Sequence, residues 1–119
     1  MTIPASVAAL RRKYVQATSK DRWGEAAAVA VLLGFEPIAA DPRFGRHVTR
    51  DGISWDALLA ESWSPAEQLL IGTAAGIWSG SRTLVDISRV TRLGDEFFAA
   101  WTAMITAMDT GHVPGEVQP

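Results

Sequence analysis

The sequence contains no cysteine, only two lysines and no long apolar run. The lack of cysteine excludes a disulfide framework, a thiolate metal site and a cysteine nucleophile. The longest unbroken apolar run, Ala26–Leu33, is too short to span a bilayer. Residues 1–10 also lack the basic start and apolar stretch of a signal peptide. We therefore expect a cytoplasmic protein without a membrane segment.

Length and composition suit a single globular domain. The chain has 119 residues, of which 48% are hydrophobic, and this is enough to bury a core without metal or disulfide support. The net charge of −2 gives no overall attraction to nucleic acid or anionic membranes. We predict one helical domain over residues 1–112 and a flexible tail over residues 113–119, which contain two prolines.

Helical spacing of the apolar residues predicts a mainly α (α+β) fold, a compact multi-helix domain with one β-hairpin near residues 44–55. The clearest helix start is Ser64-Pro65-Ala66-Glu67, which has a capping serine, a proline at the first position and a glutamate three residues after the cap. Asp95 is predicted to cap the last helix, and Gly111 to end it.

The first half of the chain contains two predicted helices before the hairpin. The first runs from Ser6 to about Thr18 and the second from Ser19 to Gly34, and residues 35–43 are predicted to be a loop because they contain two prolines.

In the hairpin, Asp51-Gly52 predicts a two-residue turn, because both residues tolerate a positive φ. That turn pairs Val48 with Trp55. All five tryptophans are predicted to lie in or near the core.

The motifs of common enzymes are missing. The chain has no phosphate-binding glycine pattern, no histidine pair at metal-ligand spacing and no Gly-x-Ser-x-Gly elbow. His47, Asp51 and Asp56 can form an acid–base or metal cluster only if the fold gathers them, and a solvated hairpin face explains the same residues. The sequence therefore favours a protein that is not an enzyme, and we expect no cofactor, catalytic residue or metal.

Two basic clusters are candidates for contacts with nucleic acid or a protein partner. Phosphate backbones are bound by such groups of cations, whereas solvated helix and hairpin faces carry them too. The candidate residues are Arg11, Arg12 and Lys13 in the first cluster, and Arg43, Arg46, His47 and Arg50 in the second.

Three predicted helices carry charge only in their first turns. Residues 26–35, 68–80 and 97–108 contain no Lys, Arg, Asp or Glu after the acidic residues that begin each helix. Helices without charged side chains beyond the first turn indicate one of two arrangements. Either a central helix is enclosed by others, or an apolar surface is covered by a second copy or another protein. The last helix is the better candidate for an interface, since small residues line its far side, namely Ala99, Thr102, Ala103 and Thr106.

The segments Trp63–Ile71 and Ala74–Gly80, followed by Val85-Asp86-Ile87 and an acid-started helix, resemble a known group of sequences. They are similar to the C-terminal half of small uncharacterised helical proteins of actinobacteria and their phages. The resemblance covers residues 55–109 and implies a helical fold, with no catalytic residue to carry over. Together with the uncharged helices it favours a non-enzymatic binding or accessory protein that acts through self-association or a protein partner. The alternative is a small nucleic-acid-associated regulator that uses the two basic clusters.

Overall fold

The computed structural model describes residues 2–16, 23–80 and 87–115. These residues form seven α-helices, a short 3₁₀ helix over Ile87–Arg92 and one antiparallel hairpin, which confirms the predicted mainly α fold. The α-helices are α1 (Ala5–Val15), α2 (Trp23–Gly34), α3 (Glu36–Ala39), α4 (Pro42–Gly45), α5 (Trp55–Leu59), α6 (Pro65–Ser79) and α7 (Asp95–Thr110). The hairpin strands are β1 (Val48–Thr49) and β2 (Gly52–Ile53).

Helix α2 is the centre of the fold and packs against α1, α6 and α7. Its uncharged stretch, residues 26–33, is buried except for a partly exposed Val31. This burial explains why the stretch carries no charge, since an unpaired charge is costly in an apolar interior. No polar or charged residue is buried anywhere in the described part of the chain.

Helices α2 and α7 run antiparallel and approach closely. Phe35, just after α2, meets Phe97 at the start of α7 edge to face, with ring centroids 4.9 Å apart. At the other end, a Cβ atom on Gly24 would collide with the backbone carbonyl of Met108. Glycine at position 24, followed by the alanines of α2, therefore allows the two helices to lie against each other.

The predicted start of α6 is confirmed. Ser64 Oγ accepts the backbone N–H of Glu67 at 3.2 Å, and Glu67 Oε1 accepts the N–H of Ser64 at 3.0 Å. The prediction for α7 was one residue off: Gly94 is the cap and Asp95 is the first helical residue. Asp95 still places a carboxylate at the positive end of the helix dipole. Gly111, with φ of 76°, ends α7 as predicted.

Two predictions about the first half of the chain were wrong. Helix α1 begins at Ala5 after Pro4, before the predicted cap at Ser6. The predicted loop over residues 35–43 contains α3 and the start of α4. Proline lies within the first two positions of both short helices, where its missing N–H costs no hydrogen bond. The predicted end at Thr18 and cap at Ser19 lie outside the described residues.

The hairpin is shorter than predicted and its register differs. Val48 pairs with Ile53, and Thr49 with Gly52, so the turn residues are Arg50 and Asp51. Thr49 Oγ1 accepts the N–H of Asp51 at 3.2 Å, which stabilises this turn. Neither Asp51 nor Gly52 has a positive φ. Phe44 belongs to α4 and Trp55 to α5, so neither extends the strands.

The burial of two residues differs from the prediction. Val113, placed in the tail, is 5% exposed and packs with Ala27, Ala30 and Ala107, so the packed chain extends one residue past the predicted boundary. Trp23, predicted to be near the core, is 41% exposed. The other four tryptophans pack partly buried against the core. Residues 116–119 of the predicted tail lie outside the described residues.

Candidate functional site

The second basic cluster is held by carboxylates. The guanidinium of Arg43 donates from Nε and Nη2 to the two carboxylate oxygens of Asp41, at 3.1 and 2.8 Å. It also donates from Nη1 to the carbonyl of Ser62 and lies 4.4 Å from the ring centroid of Trp63. Its Nη2 is 3.8 Å from Glu67. Arg43 therefore connects the start of α4 to the segment that leads into α6.

The side-chain hydrogen bonds from Arg43 lower the pKa of Asp41 below its usual 3.8 and outweigh the opposing effect of burial. Asp41 also accepts the backbone N–H of Arg43 at 2.9 Å and so caps α4. The same pair raises the pKa of Arg43, which stays charged. The positive charge of Arg43 is thus paired with carboxylates of the same chain.

Arg46 and His47 share a single carboxylate. Glu61 Oε2 lies 2.7 Å from His47 Nε2 and 3.5 Å from Arg46 Nη1. The sequence pointed to Asp51 and Asp56 as partners of His47, but the structure gives it Glu61. Because Glu61 is 14 residues away in sequence, no local pattern revealed the pair. Arg50 is exposed at the hairpin turn.

The first basic cluster is divided between two environments. Arg12 and Lys13 are exposed on α1, whereas Arg11 is partly buried against Gly34 at the end of α2. A cation there complements the negative end of the helix dipole. Among the described residues, no group of three His, Asp or Glu side chains is placed to hold a metal ion.

Helix α7 presents a different kind of surface. Three of its side chains are buried against the core, namely Ala100, Met104 and Ala107. The opposite side, which we call the outer face of α7, comprises Phe98, Ala99, Thr102, Ala103, Ile105 and Thr106. All four residues predicted as an interface belong to it: Ala99, Thr102 and Thr106 are exposed, and Ala103 is partly exposed.

The large exposed hydrophobic side chains gather at this helix. In the described part of the chain they are Phe98, Met108 and Trp23, which are 47%, 41% and 41% exposed. Phe98 lies on the outer face and Met108 at the C-terminal end of α7. Trp23 is adjacent to that end, because its Cβ lies beside Gly111. An aromatic side chain is thus exposed at each end of the helix.

Acidic side chains flank the outer face. Asp95, Glu96 and Asp109 are exposed on α7, which contains no Lys or Arg. At the N-terminal end of the helix, Glu96 and Glu36 line a cleft of about 270 Å³ together with Pro37 and Ala40. A second cleft, of about 360 Å³, lies between α6 and the 3₁₀ helix and is lined by Pro65, Ala66, Arg89, Arg92 and Leu93. His47 and Glu61 line neither cleft.

Comparison with known proteins gives no further guide: no family model, curated protein or solved structure matches the chain. Among the described residues, no helix combines the length and the apolar character needed to cross a membrane. The fold and its surfaces are therefore the basis for a functional proposal.

Proposed function

We propose that this chain is a non-enzymatic binding or accessory protein and that the outer face of α7 is its docking surface. The observation that carries the proposal is that every large exposed hydrophobic side chain of the described residues lies on α7 or beside its end. Large hydrophobic side chains exposed along one helix of a small protein are typical of binding surfaces. Cytoplasmic location and an actinobacterial or phage origin belong to the same proposal.

The chemistry of the outer face supports docking of another protein surface. Its small residues, Ala99 and Ala103, allow the backbone of a partner to approach closely. The hydroxyls of Thr102 and Thr106 can form hydrogen bonds with that partner at the edge of the contact. Phe98 provides a large apolar anchor of the kind that carries most binding energy in interfaces. No charged side chain interrupts the helix between residues 97 and 108.

Nucleic-acid binding has less support. Of the seven candidate contact residues, Arg43, Arg46 and His47 pair with carboxylates of the same chain. Binding phosphate through them would require breaking these pairs, so their net gain would be small. Arg12, Lys13 and Arg50 remain exposed. We expect weak binding to duplex DNA at low salt. The double substitution Arg46→Ala, Arg50→Ala should reduce it only slightly, because Arg46 is already paired and Arg12 and Lys13 remain exposed. Strong binding that is lost on that substitution would favour the nucleic-acid alternative.

The apparent mass of the tagged protein in an extract of its source cells tests the docking proposal. The tagged wild-type protein should elute well above the combined mass of the 12.8 kDa chain and its tag, and the variant Phe98→Ser, Met108→Ser should elute as a single tagged chain. Both side chains are more than 40% exposed, so their loss should affect stability little.

A matched control carries two substitutions at exposed alanines around α5, Ala57→Ser and Ala60→Ser. It should elute like the wild type. Elution of the tagged wild-type protein at the mass of one tagged chain, or an unchanged mass in the Phe98→Ser, Met108→Ser variant, would contradict the proposal.

A further inference from the structure

Helix α7 has a row of exposed residues with a negative charge at each end. Asp95, Phe98, Thr102 and Asp109 are all exposed and follow one another at helical spacing, so they share one side of the helix. Neither carboxylate forms an ion pair within the described part of the chain. A surface that covers this row should therefore supply a cation next to an apolar seat for Phe98.

Helix α1 of the same chain has a complementary row. Ala5 and Arg12 are exposed and Ala9 is partly exposed, at spacings of four and three residues. They lie on the side of the helix away from Val7 and Leu10, which are buried. The guanidinium of Arg12 has no ion pair within the described residues. Helix α1 contains three cations and no carboxylate, so its charge is opposite to that of α7.

The two rows match when α1 of a second copy lies antiparallel on α7. Both rows continue by three and then four residues from their charged members, Asp95 on α7 and Arg12 on α1. When these two oppose each other, the spacing brings two further pairs together, namely Phe98 with Ala9 and Thr102 with Ala5. A large side chain on one helix thus faces a small one on the other, as in ridges that fit into grooves.

Two α7 helices fit each other less well. In an antiparallel pair centred on Thr102, Asp95 of one copy would lie opposite Asp109 of the other. In a parallel pair, the same carboxylates would lie side by side. Both arrangements bring like charges together, which costs free energy in an interface. Charge and side-chain size therefore favour α1 over α7 as the contact on the second copy.

Resting on the proposed function, we propose that the outer face of α7 binds helix α1 of a second copy of this chain, with Arg12 of one copy paired to Asp95 of the other. Helix α1 has 11 residues and is thus about 17 Å long, so one contact covers less area than a standard protein interface. We expect a dissociation constant on the order of 10 µM for one contact. Because the two surfaces lie on different helices, each copy contributes both, and the copies associate head to tail.

Light scattering of the purified protein at low ionic strength, where charges are least screened, tests the contact. The average mass should rise above 12.8 kDa as the concentration increases from about 1 to 500 µM, a range that brackets the expected dissociation constant. A mass of 12.8 kDa at every concentration would overturn the inference.

Charge reversal on each helix identifies the two surfaces. Arg12→Glu and Asp95→Lys should each weaken self-association at least fivefold, because each brings like charges together. An equimolar mixture of the two variants should associate again, since the unchanged α7 of one meets the unchanged α1 of the other. This recovery also shows that both variants are folded. A mixture that associates no better than either variant alone would overturn the inference.

The matched controls are Arg50→Glu and Asp51→Lys, which make the same changes of charge at the exposed hairpin turn. Both should leave self-association unchanged. If the controls weakened it as much as Arg12→Glu and Asp95→Lys, net charge rather than the contact between α1 and α7 would explain the effect, and the inference would be wrong.

Elution of the tagged protein from cell extract separates this inference from the proposed function. Suppose that the purified chain is a monomer but the tagged chain elutes above its own mass, and that Phe98→Ser, Met108→Ser abolishes the difference. A different protein then occupies the outer face of α7, so the inference is wrong and the docking function stands. If the purified chain is a monomer and the tagged chain also elutes alone, both are wrong.

Discussion

Arg43 has partners both close to it and far from it in the sequence. Its contact with Asp41 spans two residues, but its contacts with Ser62, Trp63 and Glu67 join segments far apart in the chain. A basic cluster is visible in a sequence, whereas the carboxylates that neutralise it become visible only in the fold. The same holds for His47 and Glu61.

Asp41 provides a prediction at this scale. Its pKa is lowered by Arg43, so its contribution to stability is present above the unfolded pKa near 3.8 and is lost as the pH falls through the lower folded value. Asp41→Asn should therefore reduce the free energy of unfolding at neutral pH, and the difference from the wild type should shrink as the pH falls below 3.8.

Denaturant titrations over this pH range measure the difference. Asp51→Asn at the exposed hairpin turn is the control and should leave the free energy of unfolding nearly unchanged at every pH. A difference for Asp41→Asn that stayed constant down to the lowest pH would show that the Asp41–Arg43 pair contributes nothing through ionisation.

At the scale of elements, the predictions that rested on local chemistry were the accurate ones. The cap of α6 and the glycine that ends α7 depend on residues within one turn, and both are found as predicted. The short helices α3 and α4 were missed, because proline was interpreted as a loop signal when it occupies their first turns. The hairpin register was wrong because Thr49, rather than Asp51-Gly52, organises the turn.

The close approach of α2 and α7 leads to a second prediction. A Cβ at Gly24 would collide with the carbonyl of Met108, whereas one at Gly52 would meet nothing within 4 Å. Gly24→Ala should destabilise the fold by about 1–3 kcal/mol, and Gly52→Ala should change stability by less than about 0.5 kcal/mol. Thermal melting of the two variants measures both.

The comparison also tests the revised hairpin. If Gly52 occupied a turn with positive φ, as the sequence suggested, alanine there would be strained and costly. Two variants with equal melting temperatures would contradict the packing of α2 on α7, and a large loss in Gly52→Ala would contradict the observed register.

At the scale of the whole molecule, the uncharged helices have two different explanations. Helix α2 carries no charge beyond its first turn because other helices enclose it, and α6 buries about half of its uncharged stretch, residues 69–72, 74 and 75. Helix α7 buries only Ala100, Met104 and Ala107. Helical periodicity shows which residues share a face, but it does not show what covers that face, so the sequence could not distinguish α7 from α2.

The interface candidates on α7 were found from the sequence because small residues at helical spacing are a local pattern. The exposed Trp23 was missed because its neighbour Gly111 lies at the far end of the chain. The acidic cleft was missed for the same reason, since Glu36 and Glu96 are brought together only by the antiparallel packing of α2 and α7.

Photo-crosslinking in the source cells shows whether another protein lies against the outer face of α7. A benzoylphenylalanine residue replaces Thr102, exposed in the middle of the outer face, and a control variant carries it at Ala57, exposed on α5. We expect a discrete adduct heavier than the 12.8 kDa chain from position 102 and none from position 57. No adduct from position 102, or the same adducts from both positions, would contradict the proposed docking surface.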